Sequence, residues 1–113
     1  MLLLIGFFLV VALAGAALAV HELRGGSLPL PVGWLHGIAA LAAIVLLLIH
    51  DLHAPHNMLV NSATVLFVLT AVGGLLLFMF RVLRQRLPGF VVALHAGFAL
   101  IAIALLCIGF IKA

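Results

Sequence analysis

Two histidines lie where a chain made for lipid would be expected to carry none: His36 in "GWLHGIAALAAIVLLLIH" and His95 in "VVALHAGFALIAIALL". An imidazole inside an apolar segment can ligate a metal, relay a proton or tie two helices together. When neutral it must satisfy one donor and one acceptor. Candidate partners are few: Ser62, Thr64, Thr70 and backbone carbonyls, with only Thr70 well inside its segment. A second group, His50, Asp51, His53 and His56 in "HDLHAPHN", offers imidazole and carboxylate ligands for Zn²⁺ or Cu²⁺. His50 and His53 share one face of the last helical turn before Pro55. The competing reading is an ordinary loop at a membrane rim, and His21 beside Glu22 reads as a solvated rim residue.

The elements that would position these groups follow from composition. The chain has 113 residues, 69% of them hydrophobic and 6% charged, and a mean hydropathy of +1.58. That leaves too little polar surface for a soluble globule and predicts an all-α integral membrane protein. Apolar runs predict helices at roughly 2–20, 32–50, 59–82 and 88–111, each near the ~20 residues that cross ~30 Å of hydrocarbon. The expected architecture is a single-domain four-helix bundle whose spans hold no Asp or Glu. The small residues of "ALAGAALAV" would also suit a cleaved signal peptide. Against this, no Lys or Arg precedes the run, and the run exceeds the usual ~7–15 apolar residues.

Arg24, Arg81, Arg84 and Arg86 fall in the first and third connections, on one side of the membrane. The positive-inside rule makes that side cytoplasmic and sends both termini outward, to the periplasmic face of a bacterial inner membrane. The basic balance then reflects topology and attraction to anionic lipid, with no call for nucleic acid. Cys107 is a small apolar filler, Trp34 an interfacial anchor able to border a ligand, and Gly6, Gly15 and Gly73-Gly74 small-residue helix contacts.

An internal match sharpens the histidine question. Shifting the chain by 59 residues lays 28–49 on 87–108 with 12 of 22 positions identical. Leu28-Pro29 falls on Leu87-Pro88 and Leu35-His36 on Leu94-His95. The first and third helices match only at chance level, so the expected tandem duplication of a two-helix hairpin, with halves near 1–57 and 60–113, rests on the second and fourth helices. A parallel repeat places equivalent residues at equal depth, so His36 and His95 are expected side by side, about 10 Å inside the arginine-rich end. Gly33, Gly37 and Ala40 flank His36, and Gly97 and Ala99 flank His95, leaving room for a flat group between helices.

The iron of a b-type haem takes one imidazole nitrogen on each face and leaves the second ring nitrogen to bond a carbonyl or hydroxyl. This satisfies both histidines at once, with Arg81 and Arg84, and behind them Arg24 and Arg86, supplying counter-charge for the haem carboxylates. Two intramembrane histidines with neighbouring glycines and alanines resemble the membrane b-type cytochromes, in which a four-helix bundle holds haem by two histidines. The resemblance is architectural and covers about 28–49 and 87–108. It implies electron transport within the bilayer, with a quinol or a larger redox enzyme complex as partner. His50, about 21 Å along the helix from His36, is similar in spacing to the two-haem cytochromes b of quinol-oxidising complexes, but its counterpart here is Gly109. One haem is therefore expected, and a second would need His53 or His56.

No base or nucleophile constellation predicts an independent enzymatic activity. Two other readings stand beside the cytochrome. One is a cofactor-free accessory or assembly subunit whose histidines only pack. The other is a metal or proton transporter using the outer histidines. Association with itself or with other chains is open.

Overall fold

The computed structural model describes residues 1–26 and 29–112, so the Leu28 half of the Leu-Pro match lies outside the described residues. Four helices follow one another: α1 (Leu2–Leu23), α2 (Leu30–His53), α3 (Met58–Val82) and α4 (Gly89–Lys112). All four are long and apolar enough to cross a membrane. The bundle is 44 Å long, and each helix satisfies its own backbone polar groups internally, the condition for life in hydrocarbon. Its outer surface is apolar, with Leu3 92%, Leu52 81% and Ile111 79% exposed. In water such a coat would drive aggregation, and lipid solvates it.

Two helix ends differ from expectation, each for a local reason. α2 runs three residues past the expected limit and stops at Pro55, which pushes Ala54 into extended backbone (φ −97°, ψ 158°). Asp51 therefore belongs to the last turn of α2, which corrects the expectation of spans free of acid. α1 continues through His21 and Glu22 to Leu23 and ends in a left-handed turn at Gly25 (φ 85°). There Gly26 N–H donates to the His21 carbonyl and Gly25 N–H to the Glu22 carbonyl. α3 ends in the same way 59 residues later. Arg84 takes the left-handed conformation (φ 56°), Gln85 N–H donates to the Phe80 carbonyl and Arg84 N–H to the Arg81 carbonyl. Both are Schellman turns.

The 59-residue offset is visible throughout the core. Ala43 and Ala102, and Leu47 and Leu106, are fully buried pairs at that spacing, and Ile44 and Ile103 are equally buried. α1 and α3 each border α2 and α4, so α1 lies diagonally opposite α3, and α2 opposite α4. Across the first diagonal Phe8 stacks on Phe67, ring centres 4.0 Å apart. At the arginine-rich end Glu22 accepts from Arg81 across the same diagonal, again 59 residues apart. Residues of equivalent rank thus meet at the centre, as a pseudo-two-fold axis along the bundle requires.

The two hairpins differ at the end away from the arginines. In the second, the Asn57 side chain accepts from Leu59 and Val60 N–H at the start of α3 and donates to the Gly109 carbonyl of α4 at 3.0 Å. A Cβ on Gly109 would stand 2.8 Å from Val60 Cγ2, so glycine is what permits this approach. The first hairpin has His50 at the equivalent place. There α1 and α2 leave an open apolar groove of about 290 Å³ lined by Met1, Leu3, Leu4, Phe7 and Leu46, the last one turn before His50.

Candidate functional site

His36 and His95 hold the same rank in their helices, each the seventh residue, because α2 begins beside Pro29 and α4 just after Pro88. α2 and α4 being diagonal, the two rings approach one another across the bundle. Their ring centres are 6.4 Å apart and their planes 81° from parallel. The expected pairing of the two histidines is therefore a feature of the structure.

Each ring seats against a glycine on the preceding helix. A Cβ on Gly15 of α1 would lie 2.7 Å from His36 Cε1, and one on Gly74 of α3 would lie 2.8 Å from His95 Cε1. Gly15 and Gly74 are again 59 residues apart. Any side chain at either place would push the imidazole out of its notch, so these are the glycines on which the site depends. Gly33, Gly37 and Gly97, which the sequence singles out, do not touch the rings, and nothing lies within 4 Å of where their Cβ atoms would stand. They keep open space beside the histidines. Ala40 and Ala99 are half-buried, one turn further along each helix.

Each ring lies beside a backbone carbonyl of the preceding helix. His95 Nδ1 is 2.8 Å from the Thr70 carbonyl. A carbonyl only accepts, so Nδ1 carries the proton and a neutral His95 has its Nε2 lone pair free. This is the helix-carbonyl partner expected for a ligating imidazole. The equivalent carbonyl for His36 is that of Val11, which borders the ring. The contact is looser than the one Thr70 makes with His95, and His36 Nδ1 is buried beside it.

The remaining sequence candidates are not brought into this site. Arg81, expected as counter-charge, is engaged by Glu22, and Arg84 is exposed at its turn. The outer cluster does not converge either. His53 Nδ1 donates to the Ile49 carbonyl, and His56 Nδ1 accepts from Asn61. His50 Nδ1 stands 3.6 Å from Asp51 Oδ1, while Thr64 donates to Asp51 Oδ2 at 2.6 Å. His50 Nδ1 and Asp51 Oδ1 are buried without a hydrogen bond, and among the described residues no three His, Cys, Asp or Glu side chains gather as ligands for one ion. Stacked Phe8 and Phe67 with the fully buried Ala43, Leu47, Ala102 and Leu106 form a dry core in the bundle.

No protein-family model, curated protein or solved structure matches this chain.

The residues present fit a metal held between two imidazoles. A metal–nitrogen bond of about 2 Å on each side, plus roughly 1 Å from nitrogen to ring centre, sets the ring centres a little over 6 Å apart. The observed 6.4 Å equals that span in length, with His36 Cε1 and Nε2 lying beside Gly15. Neither Nε2 makes a hydrogen bond among the described residues. Open space at Gly33, Gly37 and Gly97 adjoins the pair. Gly15 and Gly74 escaped the sequence reading as site-forming residues. The signal for the glycines was the same 59-residue offset carried onto the first and third helices.

Proposed function

We propose that this protein is a small membrane b-type cytochrome that holds one haem b between His36 and His95 and carries electrons within the bilayer. The observation that carries this reading is the facing of two equivalent imidazoles at 6.4 Å, each seated on a glycine notch. When bound, the haem would supply one-electron redox chemistry. The protein's part is to present two Nε2 lone pairs, to fix His95 through the Thr70 carbonyl, and to surround the site with apolar groups that keep water out.

The arginine-rich end faces the cytoplasm in this reading, placing the His36–His95 pair in the inner half of the membrane and the termini on the outer side. The dry core favours an electron carrier over a through-pathway for ions, because electrons cross such a layer without a polar route. The partner would be a lipid-soluble quinol or a larger redox complex reached through the apolar surface.

The test is the visible spectrum of detergent-purified protein, dithionite-reduced minus oxidised, beside His36→Leu and His95→Leu. Sharp α and Soret bands of a six-coordinate haem, altered in both variants, support the cytochrome. If the protein supplied with excess haem shows no such bands, the reading fails and a cofactor-free accessory subunit becomes the better account.

A further inference from the structure

We propose that His50 and Asp51 form a binding site for one divalent transition-metal ion of the Zn²⁺ or Cu²⁺ kind, at the end of the bundle away from the arginines. The site lies about 21 Å along α2 from His36 and does not depend on the haem reading.

The structure divides the four candidate ligands at this end into two and two. His53 and His56 each engage Nδ1 locally, with the Ile49 carbonyl and the Asn61 amide. His50 Nδ1 and Asp51 Oδ1 are both buried, make no hydrogen bond among the described residues, and stand 3.6 Å apart. That separation decides what belongs between them. A proton shared by nitrogen and oxygen needs about 2.7–3.2 Å, so the pair is too far apart for a hydrogen bond. An ion bonded to each atom at about 2.0–2.2 Å with a near-tetrahedral angle holds its two ligand atoms about 3.3–3.6 Å apart. With nothing between them, a buried nitrogen and a buried oxygen are both left unsatisfied, which is costly whichever nitrogen of His50 carries the proton.

The surroundings suit a cation. The Asp51 side chain is 16% exposed, and among the described residues no lysine or arginine pairs with it. Its second oxygen is held by the buried Thr64, whose hydroxyl donates to Oδ2 at 2.6 Å, the kind of outer bond that orients a ligating carboxylate. The His50 side chain is 36% exposed, so an ion has a way in and water can complete its coordination. One imidazole nitrogen with one carboxylate oxygen favours Zn²⁺ or Cu²⁺ over Mg²⁺ or Ca²⁺, which take oxygen ligands. The internal offset supplies a second, independent sign. Gly109, Phe110 and Ile5 hold the places equivalent to His50, Asp51 and Thr64. The other half of the bundle meets the same depth with apolar groups, so depth alone does not call for this polar trio.

The experiment titrates Zn²⁺ into the metal-stripped chain in detergent, followed by calorimetry and by NMR of labelled histidine ring nitrogens. One Zn²⁺ per chain is expected, with the His50 Nδ1 resonance displaced and those of the other five histidines left in place. The melting temperature should rise with Zn²⁺ concentration, as it does for any ion that binds only the folded state. This titration of the unaltered protein decides the proposal without any variant. No uptake at millimolar Zn²⁺, or uptake that displaces another histidine and leaves His50 unmoved, overturns it.

Variants then assign the roles. His50→Ala and Asp51→Asn should each bind Zn²⁺ at least ~10-fold more weakly, and the asparagine can still accept from Thr64, which spares the fold. Thr64→Val, which frees the carboxylate without removing a ligand, should weaken binding about 10-fold. His53→Ala and His56→Ala should bind as the parent does. Affinity that survives both His50→Ala and Asp51→Asn, or that falls equally in His53→Ala, would sink the two-ligand site. Either result leaves the visible spectrum of the haem test untouched, so the two proposals fail separately.

Discussion

Gly15 and Gly74 are each one hydrogen atom in place of a methyl, and that difference seats a histidine. In Gly74→Ala the new Cβ would meet His95 Cε1 at 2.8 Å, so the ring must leave the notch and with it the Thr70 carbonyl. Helix propensity gains about 1 kcal/mol from the change, against about 1–3 kcal/mol for overpacking and roughly 1 kcal/mol for the lost hydrogen bond. A net destabilisation is expected in a thermal melt, together with loss of the protected His95 ring proton. Arg84 offers a prediction of opposite sign. A non-glycine residue in left-handed backbone costs about 1 kcal/mol, and the equivalent turn uses Gly25. Arg84→Gly should therefore raise the melting temperature.

Among the helices, the contrast between the hairpins turns on what stands at the α2 and α4 ends. Asn57 caps α3 and ties it to the Gly109 carbonyl, so Asn57→Ala removes a cap and an interhelical bond together. The expected cost is about 1–2 kcal/mol, read as faster amide exchange at Leu59 and Val60 and a lower melting temperature. The first hairpin has His50 at the place of Gly109, and one turn away the groove opens beside Leu46. In His50→Gly the first hairpin should close as the second does, and cysteines introduced at Leu3 and Leu46 should crosslink faster than in the parent.

Across the whole bundle, Glu22 and Arg81 are the one ion pair that joins the diagonal helices among the described residues. Both side chains are 21% exposed. Breaking the pair should therefore cost more than the about 0–1 kcal/mol of a surface pair and less than the about 3–5 kcal/mol of a fully buried one. Arg81→Glu alone sets two carboxylates face to face and should destabilise strongly. Adding Glu22→Arg restores an attractive pair across the same axis, and recovery of most of the melting temperature in the double variant is the expected result. If the double variant melts no higher than the single, the contact does not hold the ends of α1 and α3 together.

The four membrane helices and the equal rank of His36 and His95 were legible in the sequence by itself, because apolar run length sets a span and an identical offset sets equal depth. The helix limits were legible to within a few residues, the errors arising where Glu22 and Asp51 remain helical despite their charge. Three-dimensional packing decided the rest. Phe8 and Phe67, and Gly15 and Gly74, are scattered identities along α1 and α3 that cannot be raised above chance, and Glu22 and Arg81 hold equivalent positions with opposite charge. They acquire meaning only when those helices lie on one diagonal, where Phe8 meets Phe67, Glu22 meets Arg81, and the two glycines each seat a histidine. The same holds for His50, Asp51, His53 and His56. Neighbours in sequence look like a ligand set, but a helix fans its side chains around its axis: His53, His56 and Asp51 bond to Ile49, Asn61 and Thr64, and His50 stands beside Asp51 alone. Which backbone carbonyls meet the rings of His36 and His95 was beyond any sequence reading, since it depends on what part of a neighbouring helix comes within reach of a ring nitrogen.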